Sequence, residues 1–239
     1  MYGSEMFVYG ARPHAVELVL PRRRRLLRAR RLLATYPGPW RVAANAAYGN
    51  PLITCGVLAR RGRLLAAYPL DWPALVVLNR GGAFIAEQPT RPLARAARIA
   101  VGGGPVLVRS GLPTDVSREI ERLGLGDLAP GEPLARTAVG IRPDGTVILG
   151  AWRGATLEAA ALDLIRVGVV HAMALEGDEG ALLFSRRRGV EHPLLGRAER
   201  RVAALLVLRR ARRIRSGGPA GGPAAGGPAG GPTGDPAAV

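Results

Sequence analysis

Ala100-Val101-Gly102-Gly103-Gly104-Pro105-Val106-Leu107-Val108-Arg109-Ser110-Gly111 decides the fold reading. Two apolar runs, each too short for a helix, are separated by three glycines and a proline, the residues that punctuate strands and break helices. Arg136-Thr137-Ala138-Val139-Gly140-Ile141 has the same character and runs into Arg142-Pro143-Asp144-Gly145 before Thr146 to Ala151. Pro143 presets φ for a type I turn and Gly145 accepts the left-handed position that closes it, which predicts a β-hairpin.

Working outward, His14 to Leu20 reads as a strand, and Trp40 to Ala44 as a buried strand that delivers Asn45 to its end. Ile53 to Ala59, Arg63 to Ala67, Ala74 to Leu78, Ala83 to Ala86 and Ile99 to Val101 are short apolar runs at regular spacing, the signature of a strand-rich sheet. Three helices are predicted: an amphipathic one over Arg23 to Tyr36, one over Asp115 to Leu123, and one after Thr156 with a Leu157, Ala161, Leu164, Ile165 stripe. The apolar strand Val169 to Leu175 and the segment Arg201 to Leu208 complete the folded part. The expected fold is α+β: one domain with a mixed, mostly antiparallel, strongly curved sheet and a few flanking helices. Residues 1–13 are read as a leader, 14–215 as the domain and 216–239 as a tail of Gly, Pro and Ala, expected to be disordered because it cannot bury enough surface to offset its ordering entropy.

The chain has 239 residues, a net charge of +16 and 34 basic residues, all of them arginine. Seven arginines lie in Arg22 to Arg31 and eleven in Arg186 to Arg215, leaving the middle neutral overall. The single cysteine, Cys55, excludes an internal disulfide framework and any multi-cysteine metal site. His14, His171 and His192 have no metal-ligand spacing, and no cofactor or metal is expected. No apolar run reaches the roughly 20 residues that span a bilayer, and Met1 to Val8 lacks the pattern of a secretory signal. The expectation is a cytoplasmic protein, with secretion following if the start codon is mis-assigned.

The stretches Asn45-Ala46-Ala47-Tyr48, Gly102-Gly103-Gly104-Pro105, Arg136-Thr137-Ala138 and Leu175-Glu176-Gly177-Asp178-Glu179-Gly180 occur in this order. They resemble the motifs of the phosphodiester glycosidase domain family, which includes the lysosomal uncovering enzyme and bacterial proteins linked to exopolysaccharide metabolism. The family patterns are Asn-Gly-Gly-aromatic, a Gly-Gly-Gly-Pro strand, Arg-Thr-Ala, and Leu-Asp-Gly-Gly-Gly-Ser. The middle two match closely. The first keeps the Asn and the aromatic residue but has alanine for both glycines, and the last has Glu for Asp and loses two glycines of its triplet. Glu191-His192-Pro193 and Glu199-Arg200-Arg201-Val202 are similar to the family's closing loop and terminal strand, so the resemblance extends from about His14 to Leu208.

The resemblance implies hydrolysis of a sugar-1-phosphodiester, with a sugar phosphate or polysaccharide as substrate. Glu176, at the end of an apolar strand, is the candidate base or nucleophile, against the alternative of an acidic loop shared with Asp178 and Glu179. Asp178 is a second acid if the segment stays extended, because alternate residues then share a face. Arg136 is the candidate phosphate ligand, since a guanidinium grips a phosphodiester with two parallel bonds, and the alternative is a surface ion pair. Thr137, next to it, is also a candidate for substrate binding, and the alternative is a residue that simply suits a strand. Gly102, Gly103 and Gly104 are read either as a cradle of amides for the phosphate or as a tight turn. Asn45 is read as hydrogen-bonding a sugar hydroxyl, as orienting the carboxylate, or as an Asx turn. Two rival functions stand beside hydrolysis: a catalytically inactive carbohydrate-binding or interaction module on the same fold, and a nucleic-acid partner held by the arginine runs.

Overall fold

The computed structural model describes residues 5–21, 26–46, 48–50, 53–68, 71–126 and 128–214. The tail expected beyond residue 215 therefore lies outside the described residues.

Every pairing between described strands is antiparallel, where a mixed sheet was expected. The seven-stranded sheet runs Leu112–Pro113, Val106–Arg109, His171–Gly177, Leu134–Ile141, Val147–Ala155, Met6–Ala11, Arg212–Arg213. A six-stranded sheet runs Tyr48–Asn50, Ile53–Arg60, Ala97–Gly102, Ala74–Leu78, Ala83–Ala86, with Arg63–Tyr68 also on Ile53–Arg60. The third, of five strands, runs Val190–Leu195, Leu183–Arg187, Val42–Ala46, Ala204–Leu208, Val16–Val19. A two-stranded ribbon joins Leu27–Arg28 to Arg201–Val202.

The three larger sheets pack against a common core. Alternation along each strand sends one set of side chains inward and the next set outward. Leu149 and Ala151, Leu75 and Val77, Leu206 and Leu208 enter the shared core from the three sheets. Ile148 and Trp152, Ala74 and Val76, Leu205 and Val207 face away from it. Each outer face is covered by a helix: Leu157–Arg166 on the first, Arg91–Ala96 on the second and Ala29–Ala34 on the third. Burial on both faces explains why these strands read as continuous apolar runs instead of alternating with polar residues.

The helix over Leu157–Arg166 starts where Thr156 Oγ1 accepts the Ala159 N–H at 3.0 Å. Its Asp163 accepts the Trp152 indole N–H at 3.0 Å, which satisfies the one polar atom of that fully buried ring. Val116–Arg122 likewise begins at Asp115, whose carboxylate caps the Arg118 N–H.

Two expectations are corrected. The long basic helix is confined to Ala29–Ala34 among the described residues, because Leu27–Arg28 is extended and pairs with Arg201–Val202. Met6–Ala11, within the expected leader, is a strand with Val8 and Tyr9 buried, held between Val147–Ala155 and Arg212–Arg213. No described helix is long and apolar enough to cross a membrane.

Candidate active site

The strands Leu134–Ile141 and His171–Gly177 pair with a shift of register: Thr137 lies opposite Glu176, but Ala138 lies opposite Ala174. Leu175 is the extra residue of a β-bulge, an irregularity that bends a strand and re-aims the side chain beside it. The side chain beside it is Glu176. Thr137 secures the bulge, its hydroxyl lying 2.8 Å from the Glu176 carbonyl oxygen and accepting the Glu176 N–H at 3.2 Å.

Asn45 reaches the same place from Val42–Ala46 in the five-stranded sheet. Its Oδ1 accepts the Leu182 N–H at 2.8 Å and lies 3.2 Å from the Thr137 hydroxyl. A backbone N–H requires an acceptor, so the Leu182 bond fixes which end of the amide is oxygen. The buried Nδ2 is then a donor, and among the described residues no group completes a well-formed hydrogen bond to it. It lies close enough to the Glu176 carboxylate to favour the charged form.

Burial pushes the Glu176 carboxyl up to about 7, with Arg200 and Asn45 opposing the shift only in part. At neutral pH both protonation states are populated, the condition under which a carboxyl exchanges protons with a substrate or water. Gly180 makes room for this side chain. A Cβ built at Gly180 would overlap the Glu176 carboxyl and Cγ.

The other expected residues lie differently. Asp178 follows the end of the strand and opens a 3-10 turn over Asp178–Gly180, with φ of 50° and an exposed side chain. Because the chain is no longer extended there, the alternation meant to put Asp178 on the Glu176 face does not hold. Arg136 is buried, and as the cross-strand partner of Trp152 it projects to the helix-covered face of the sheet. Its guanidinium donates to the carbonyls of Ala129 at 2.6 Å, Glu132 at 3.3 Å and Ala155 at 3.4 Å. It fastens a loop to the sheet in place of the expected grip on phosphate.

The glycine run also serves packing. Gly102, Gly103 and Gly104 are buried, and the Gly103 and Gly104 amides donate to Pro73 and Ala174 at 2.9 and 2.8 Å. Donors committed to carbonyls offer no cradle to an anion. A Cβ on Gly103 would come within 2.6 Å of the Ala174 carbonyl oxygen. The run brings two strands together more closely than any side chain would permit.

The cation that faces Glu176 is Arg200, which was read only as part of a basic run. It lowers the Glu176 pKa and approaches Glu179 at 3.5 Å. Several arginines of the two runs have partners: Arg28 with Glu199, Arg30 with Glu191, and Arg186 over the Trp40 ring. No three His, Cys, Asp or Glu side chains group as metal ligands among the described residues.

Residues 42–209 match the phosphodiester glycosidase family. This chain belongs to the phosphodiester glycosidase family. No curated protein matches it. Among solved structures it is similar to the catalytic domain of zebrafish N-acetylglucosamine-1-phosphodiester alpha-N-acetylglucosaminidase auto-inhibited by its pro-peptide. That likeness has a TM-score of 0.67 at 17% identity and covers 87% of this chain and 83% of the other. A hypothetical protein from Synechocystis matches with TM-score 0.63 and 14% identity, over 90% and 60% of the two chains. A putative exported protein from Burkholderia pseudomallei K96243 matches with TM-score 0.58 and 13% identity, over 85% and 73%. The phosphodiester glycosidase match spans both Asn45 and Glu176, so the strands Val42–Ala46 and His171–Gly177 that carry them lie inside it.

Proposed function

We propose that this chain hydrolyses a sugar-1-phosphodiester at the site built around Glu176. The observation that carries the reading is a carboxyl poised to titrate near neutrality, held at a bulge and faced by one amide donor and one guanidinium. As a base, ionised Glu176 takes a proton from water while the water oxygen bonds to the anomeric carbon. The bond from that carbon to the phosphate oxygen breaks, and the products are the free sugar and a phosphomonoester. As a nucleophile, Glu176 attacks the anomeric carbon itself and water later releases the sugar.

The phosphate leaving group is weakly basic, so strong acid assistance is dispensable, consistent with a half-buried carboxyl at Glu176 and an exposed one at Asp178. Arg200 holds the phosphate, the role first expected of Arg136, and Asn45 orients the carboxylate through Nδ2. Arg136 and Thr137 are positioning residues: the first fastens the loop behind the site and the second fixes the Glu176 backbone.

The test is sugar release from a panel of synthetic sugar-1-phosphodiesters by the purified protein and by Glu176→Gln. Turnover that is lost in Glu176→Gln supports the reading. A folded protein without turnover on any substrate leaves a carbohydrate-binding module on the same scaffold.

A further inference from the structure

A second charged cleft lies far from Glu176. The strand Leu134–Ile141 carries Thr137 near one end, and Arg142 follows the other. Six residues of extended chain separate Arg136 from Arg142, a span of about 20 Å. At the far end the strand Met6–Ala11, the Arg142–Thr146 turn and Arg212–Arg213 enclose a cleft of about 490 Å³. Arg12, His14, Arg142, Arg210 and Arg212 line it, with Ile214 as part of an apolar floor.

The charge of this cleft is not balanced from within. Arg12 alone has a carboxylate, Asp144, at 3.3 Å, and both side chains are exposed. Among the described residues Arg142, Arg210 and Arg212 form no ion pair, and the Arg142 Nε is buried without a hydrogen-bond partner. Holding like charges together costs free energy unless an anion offsets it, and guanidinium groups match phosphate oxygens through paired N–H donors. Several arginines around one concave surface suit several phosphates in succession. Among the described residues no Phe, Tyr or Trp lines the cleft, and the single imidazole of His14 is too small a platform to stack the successive bases of a single-stranded nucleic acid.

We propose that this cleft is a second, non-catalytic site that takes successive phosphate groups of a phosphate-linked chain whose repeating unit is not a nucleoside. Arg142, Arg210 and Arg212 supply the contacts, and Arg12 joins them by exchanging its Asp144 partner for phosphate. The site is independent of hydrolysis at Glu176.

The test is isothermal titration of the full-length protein with tripolyphosphate, with a glycerol-phosphate oligomer, and with a single-stranded oligonucleotide of matched charge. The expected result is salt-sensitive binding of one or both of the first two ligands. Binding weakens at least tenfold in Arg210→Gln/Arg212→Gln, both exposed positions that leave the fold intact, and again in Arg142→Gln, while Arg118→Gln, at an exposed arginine on the helix Val116–Arg122, binds as the parent does. Which of the two ligands binds distinguishes a free condensed phosphate from a phosphodiester polymer. Absence of binding, binding indifferent to the cleft variants, or tighter binding of the oligonucleotide overturns the proposal.

Discussion

Gly180 occupies the space that a β-carbon would contest with the Glu176 carboxyl. The resembling motif has Asp-Gly-Gly-Gly-Ser where this chain has Glu176 to Gly180. A side chain longer by one methylene therefore accompanies a residue shorter by its whole side chain, and the carboxyl folds back over the turn. Gly180→Ala should displace the carboxyl toward solvent and lower kcat/KM by about 100-fold, the cost of a misplacement near 1 Å. Steady-state kinetics with a thermal melt checks this: a melting temperature within a few degrees of the parent is expected, since the far end of Glu176 can move aside. In the same assay, Glu176→Asp/Gly180→Ser should retain more activity than Glu176→Asp alone.

Glu176 also makes stability depend on pH with a defined sign. Its folded pKa of about 7 lies above the unfolded value of 4.5, so between those values the folded state binds more protons than the unfolded one. The carboxyl costs nothing below the unfolded pKa, and its cost grows as pH rises through the window and levels off above the folded pKa. Glu176→Gln should therefore gain stability over the parent between pH 4 and pH 8, by up to roughly 3 kcal/mol at about 1.4 kcal/mol per unit. Urea denaturation of both proteins at the two pH values measures the difference, and an unchanged difference would remove the raised pKa.

Asn45 and Arg200 both pull the Glu176 pKa down. If ionised Glu176 is the reacting form, activity rises with pH through its pKa. Asn45→Ala and Arg200→Ala should each move that limb to higher pH, and Gly180→Ala should move it lower by exposing the carboxyl. Asn45→Ala also strips the acceptor from the Leu182 N–H and should cost about 1–3 kcal/mol of stability. The pH profiles of kcat/KM separate the three.

Arg136 and Arg200 should separate by what their loss damages. Arg136→Ala leaves three backbone carbonyls without their buried donor and should cost at least about 3 kcal/mol, seen as a large fall in melting temperature. Arg200→Ala, at an exposed position, should keep the melting temperature and raise KM. A thermally unaffected Arg136→Ala with raised KM would return the phosphate to Arg136.

Much of the fold can be read from local sequence. Ala74–Leu78, Ala83–Ala86 and Val106–Arg109 are strands over the residues expected, and the Arg142–Gly145 turn closes as the Pro-Asp-Gly order requires, with Gly145 at φ of 76°. Val190–Leu195 is harder to read, because its charged and proline residues suit the sheet edge it occupies and mask the apolar pattern, and Leu183–Arg187 beside it ends in two arginines. At the candidate site, Glu176 ends the apolar strand His171–Gly177 and Asn45 lies on the strand Val42–Ala46, both segments that read as strands from their apolar runs. Arg200 meets Glu176 only through tertiary pairing, since Arg201–Val202 is fixed by Leu27–Arg28, remote in sequence. The glycine run misleads for a similar reason: the partners of its amides, Pro73 just before the strand Ala74–Leu78 and Ala174 on His171–Gly177, belong to other parts of the chain. The opposite directions of Arg136 and Thr137 follow from strand alternation alone, which makes that error avoidable.

The strand Ala204–Leu208 lies between Val42–Ala46 and Val16–Val19, near the centre of its sheet although it comes late in the chain. During synthesis from the N-terminus, Asn45 waits with one edge of its strand unpaired until nearly the whole domain has left the ribosome. Such an edge is a template for wrong partners, and pairing so distant in sequence forms slowly. Ribosome stalling before residue 204 should therefore yield nascent chains that engage chaperones and aggregate.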